Sequence, residues 1–188
     1  FGNVLNGTTY TSSTAKTDAV ELNFKAGEAA TVNVDLTKGS SGTVTTTNAK
    51  DVTVTYGAAS TAGNITIDKA ATALTLNATG ALGSTTAIAV GTTAAFADQK
   101  LATVTVSGNK SVELGAITNS TSLTDVSVIA ADGKAVVGAI DTNAVKDVTV
   151  NKVEVKATNG VATLGALDFT GLVGASAGKV ETISVTST

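Results

Sequence analysis

A six-residue pattern recurs down this chain at nearly even intervals and constrains the fold more than any other feature. It reads LATVTV from Leu101, LTDVSV from Leu123 and VKDVTV from Val145, three evenly spaced starts in succession. Further copies are AATVNV from Ala29, AKDVTV from Ala49, AGNITI from Ala62, ATALTL from Ala71, TTAIAV from Thr85 and VETISV from Val180. All but TTAIAV, whose middle place is Ala89, close on an apolar, polar, apolar alternation. Period-two alternation rich in β-branched side chains marks a strand with one face turned inward and the other outward. The turn formers Gly57, Gly80, Gly108, Asn109, Gly133 and Gly160 punctuate the gaps. The expectation is an all-β chain of many short strands.

The first inward residue of each copy serves as a marker. Val104, Val126 and Val148 are evenly spaced, and Val32, Val52 and Leu74 keep nearly the same interval. The longer steps, from Leu74 to Val104 and from Val148 to Ile183, are expected to hold insertions. A second apolar strand lies between markers: Ile65 and Ile67, Ile88 and Val90, Val112 and Leu114, Val136 and Val137, Val161 and Leu164. It is followed by an echo, GAI from Gly115, GAI from Gly138 and GAL from Gly165, which suits a tight corner leading to one more inward apolar residue.

A repeat this short cannot bury its own apolar face and must stack on its neighbour. The spacing predicts a parallel β-helix, a solenoid with coils of about 22 residues. The alternative is tandem antiparallel β-sandwiches, which also show strands about every 8 to 12 residues. Residues 1–28 then read as an N-terminal segment available as an assembly arm, and 29–188 as the β-repeat domain; the sandwich alternative splits the chain at 1–97 and 98–188. Only residues 13–21 and 93–101 offer enough helix-compatible sequence for two helical turns.

Chemistry is thinly represented. The chain has no His, Cys, Arg, Trp, Met or Pro, and all 12 basic residues are Lys. Without guanidinium forks, nucleic-acid recognition is not expected. Without His or Cys, no base or activated nucleophile stands out, and no enzyme is expected. The segment GASAGKV from Gly174 lacks the spacing and the hydroxyl of a phosphate loop. No apolar run approaches the roughly 20 residues of a membrane span. Small polar residues in place of Glu, Arg and Leu fit an exported surface polymer, so the expected location is the cell exterior.

Two features point to partners. If the even spacing holds, Asp125 and Asp147 share one coil position, which places their side chains within about 5 Å on adjoining coils, where a bridging Ca²⁺ would act as a staple. The strand-like ends are the second feature, because an open strand edge is a template for pairing. Phe1 and Tyr10 at one end, and Val180, Ile183 and Val185 at the other, are the expected contacts between copies of the chain. Triplets at Asn6, Asn64, Asn77 and Asn119 have the form of glycan acceptors.

The runs LATVTVSGNKSVELGAI and LTDVSVIAADGKAVVGAI, followed by ALDFTGL from Ala166, resemble the repeats of bacterial surface-layer proteins and large secreted β-solenoid adhesins. That resemblance implies export, self-assembly into a coat or fibre on the cell, and calcium as a frequent requirement. It also implies a structural role, with an adhesin stalk or binding module for cell-surface glycans as the alternative. The chain departs from the pattern in having no Gly-Gly calcium nonapeptide and no wall-anchoring module. A second resemblance, to the outer domains of bacterial flagellins, lacks the helical ends.

Overall fold

The computed structural model describes residues 4–12, 14, 17–27, 30–39, 41–57, 64–82, 88–92, 100–117, 122–141, 150–168 and 180–188. Its strands are β1 Thr9–Thr11, β2 Val20–Asn23, β3 Ala30–Leu36, β4 Val44–Thr47, β5 Ala49–Tyr56, β6 Ile65–Ile67, β7 Ala73–Ala78, β8 Ile88–Thr92 and β9 Thr103–Gly108. They continue with β10 Val112–Ile117, β11 Asp125–Ala130, β12 Ala135–Val137, β13 Ile140–Asp141, β14 Val150–Ala157, β15 Ala162–Leu164, β16 Leu167–Asp168 and β17 Val180–Ser187. No helix occurs among the described residues. Of the two stretches with helical potential, the first ends inside β2, and 93–99 of the second lies outside the described residues.

The strands form two sheets. One has the order β1-β3-β5-β7-β9-β11-β14-β17; the other runs β15-β12-β10-β8-β6-β4-β2, extended by β13 and β16. All pairings are parallel. The chain alternates between the sheets, so each rung lies on the one before it, about 4.8 Å along the axis. This is the solenoid, and the parallel pairing rules out antiparallel sandwiches.

The alternation read from the sequence sets the core. In β3 the residues Val32, Val34 and Leu36 are buried while Thr31 and Asn33 are exposed; β5 repeats this with Val52, Val54 and Tyr56 inward. Inward side chains of both sheets form one apolar cluster. Each fully buried Val, Leu or Ile contributes about 1.5–3 kcal/mol. Because these side chains are small, the stability comes from many rungs and not from a few large anchors.

The registers correct the spacing. Val32, Val52, Leu74, Val104, Val126, Val153 and Ile183 form one column, and the steps between them are unequal. The coil therefore varies in length, and Val153 stands where the constant step expected Val148. Two alternating runs, DVTV and KVEV, lie back to back in VKDVTVNKVEV, and the second fills the rung. Periodicity alone cannot choose between them.

The second sheet needs a smaller correction. In β12 the inward residues are Ala135 and Val137, with Val136 turned outward; Val161 is 65% exposed. The corner behaves as expected. Ile117 aligns with Ile140, and Ile140 with Leu167; the first two are buried and the third packs against the core. A Cβ on Gly138 would lie 2.8 Å from the carbonyl carbon of Gly115, and one on Gly165 would lie 2.6 Å from that of Gly138. Glycines stack at this corner because the backbones of adjoining rungs leave no room for a side chain. The N-terminal segment joins the same stack: β1 pairs with β3, β2 pairs with β4, and Val20, Leu22 and Phe24 belong to the core.

Candidate functional site

The outer faces of the stack carry short polar side chains that neighbouring rungs satisfy. Ser107 donates to Asn77 Oδ1 at 2.9 Å, and Ser127 donates to Glu154 Oε2 at 3.2 Å. The Lys152 ammonium meets Glu154 at 2.6 Å and the Lys134 ammonium meets Glu113 at 2.6 Å. Hydrogen bonding from Lys152 holds the Glu154 carboxyl below its ordinary pKa, against a partial desolvation penalty. At a turn, Lys110 pairs with Asp132, which also accepts from the Asn159 amide at 3.5 Å, and these contacts lower the Asp132 pKa. Each of these carboxylates is thus matched by a cation, an amide or a hydroxyl nearby, an arrangement suited to holding rungs in line.

The column position expected to bring a second carboxylate beside Asp125 is taken by Lys152. Asp125 aligns with Thr103 on one side and with Lys152 on the other, and the Asn151 amide donates to its Oδ2 at 3.3 Å. Asp147 lies outside the described residues. The longer step of this rung moves the equivalent position from 147 to 152. No group of three or more acidic, His or Cys side chains able to hold a metal ion occurs among the described residues. Likewise, no helix there is long and apolar enough to cross a membrane.

The expected contact residues fall at the two edges of one sheet. Tyr10 sits in β1, at the first edge, half-buried and packed against the core. Val180, Ile183 and Val185 sit in β17, at the opposite edge. Phe1 lies outside the described residues. The β17 residues repeat the alternation of the earlier rungs, yet their surroundings differ. Ile183 and Val185 align with Val153 and Val155, which are fully buried, but are themselves 51% and 46% exposed. Across the core from β17, the β15 residues Ala162 and Leu164 are only half-buried. At this edge the apolar column of the solenoid therefore lies open.

The sequence reading overlooked one element of these edges. The last inward position of the column carries Leu36, Tyr56, Ala78, Gly108, Ala130 and Ala157 through the interior, but Ser187 in β17. Ser187 Oγ accepts a hydrogen bond from the Ala162 amide at 2.9 Å. At the other edge Ser12 follows β1, its amide donating to Asp35 O at 3.0 Å. Its hydroxyl donates to Thr14 O at 2.5 Å. The signal was present in the sequence as a change from apolar to Ser two places after the final valine of VETISV.

Comparison of the chain with protein-family models, with curated proteins and with solved structures finds no match.

Proposed function

We propose that this chain is a structural protein, an extracellular building block that assembles with copies of itself into a surface layer or filament. The observation that carries the reading is the open β17 edge, where Ile183 and Val185 are exposed at positions buried on the preceding rung. An exposed strand edge with apolar side chains beside it favours pairing with another strand. The rest of the surface supports a mechanical role. Its polar groups bond from rung to rung, and the Cys-free, Thr-rich composition suits the outside of a cell.

The test is negative-stain microscopy of the purified chain beside the double variant Ile183→Lys, Val185→Lys. The native chain is expected to form ordered polymers, and the variant to remain dispersed with an unchanged circular dichroism spectrum. Native chains that stay as separate rods at every concentration overturn the reading and favour the stalk of an adhesin.

A further inference from the structure

The outward side chains of the first sheet form a polar face whose lysines are confined to one strand. We infer that this face pairs with the same face of a second copy about a two-fold axis parallel to the strands, with β9 against β9 and Asp51 of each copy opposite Lys152 of the other. The pairing rests on the building-block reading for its partner. It uses the side of the stack and not its edges, so further rungs at either end would leave it unchanged.

The first supporting observation is the character of the face. From β3 to β17 every second side chain of this sheet turns outward, and none of those positions is buried. The middle column carries Asn33, Thr53, Thr75, Thr105, Ser127 and Glu154. The registers run without a shift from β5 to β14, so these short side chains stand in straight columns. Such a surface lets a second sheet approach to about 10 Å.

The second is charge. In the three outward columns the lysines are Lys152 and Lys156, both on β14, while Asp35 stands on β3 and Asp51 on β5. The remaining carboxylates are answered within the copy: Glu154 meets Lys152 at 2.6 Å, and Asp125 accepts from the Asn151 amide at 3.3 Å. Asp51 accepts the Thr72 hydroxyl at 3.2 Å, and Asp35 accepts the Thr37 amide at 3.0 Å. An ammonium has three protons, so the contact of Lys152 with Glu154 leaves others for a carboxylate of the second copy.

The third is that charge selects one arrangement. Rotation about an axis along the strands keeps each column opposite itself and reverses the order of the rungs. Centred on β9, it sets β5 against β14 and β7 against β11. Asp51 then faces Lys152, Asp35 lies one rung, about 4.8 Å along the axis, from Lys156, and no like charges are opposed. Centred between β7 and β9, the same rotation would oppose Asp51 to Asp125. An axis along the stack would oppose Lys152 to Lys156. Opposed like charges disfavour both. Seven strands of six residues present about 34 Å by about 20 Å, or about 1,300 Å² buried in total, which lies within the range of specific interfaces. Because each copy offers the same patch, the contact closes as a pair and ties two stacks side by side.

The test uses the Ile183→Lys, Val185→Lys chain, whose changes lie on inward columns, so that pairing is read as dimers by analytical ultracentrifugation. Dimers are expected at low salt and are expected to dissociate in about 1 M NaCl, where the screening length falls to about 3 Å. Adding Asp51→Lys or Lys152→Glu should each weaken the dimer at least tenfold. An equimolar mixture of the two should restore it, because the exchanged charges again match at both contacts. The absence of Cys permits a second arm. Thr105→Cys lies on the two-fold axis, so a bis-maleimide spanning about 10 Å should join two copies there. The expected yield is at least tenfold above that of Thr53→Cys, whose copies lie four rungs, about 19 Å, apart along the axis. This arm leaves both charges in place and decides the case if a charge variant loses its native circular dichroism spectrum. A mixture that stays monomeric, or equal cross-linking at the two positions, overturns the pairing. Monomers at every concentration also overturn it, while polymers of the native chain would leave the building-block reading standing.

Discussion

Tyr56 and Thr46 show what a thin core demands of single residues. Both are buried with hydroxyls that have no hydrogen-bond partner among the described residues. Leaving such a group unsatisfied costs about 1–3 kcal/mol. Tyr56→Phe and Thr46→Val should therefore each raise unfolding free energy by about 1 kcal/mol or more, read by urea denaturation; a loss would show that the hydroxyls are satisfied. Burial also raises the Tyr56 pKa above its ordinary value. An unfolded tyrosine ionises near pH 10, while the folded one keeps its proton, so the unfolded state binds fewer protons and stability falls above about pH 10. Below that pH the contribution is present in full. The stability gap between Tyr56→Phe and the native chain should widen by about 1.4 kcal/mol per pH unit above about pH 10, and a constant gap would contradict the assignment. The inward position of Tyr56 was legible, since it follows Val52 and Val54 at period two. Val136 was not legible, because AVV is apolar on both faces and its parity must come from the neighbouring rung.

At the scale of elements, the glycine corner joins sequence to register. The Gly115, Gly138 and Gly165 echo was read as a tight corner, and the close backbone approach there gives the reason for it. Gly138→Ala should destabilise the fold by more than about 2 kcal/mol, because backbone on an adjoining rung must move. Gly108→Ala should cost less, since its new Cβ meets first the Cγ1 of Val112, a side-chain atom. Thermal melts of the two variants decide this, and equal losses would mean that the corner tolerates a side chain. The marker strands and most of the strands between them were legible, but β2 and β4 were not read and step length was not legible. A coil can lengthen at its turns without altering the alternation on its strands, so the lengthened step from β11 to β14 leaves no mark in the hydrophobic pattern. The column position expected for Asp147 falls to Lys152 for the same reason, as one misplaced rung moves every equivalent position on it.

For the whole molecule, the two parallel sheets and their shared core make a stack whose edges repeat its interior. The solenoid could be inferred from spacing because every rung solves the same packing problem with the same residue types. The exposed apolar edge was less visible, since the contrast between buried Val155 and exposed Val185 depends on what lies across the core and not on the sequence around either valine. Eight strands at about 4.8 Å give each copy an axial length of about 38 Å. Cryo-electron microscopy of the chain assembled at high concentration measures that length directly. Ordered polymers built from particles of that length are expected; separate particles at every concentration would contradict the building-block reading.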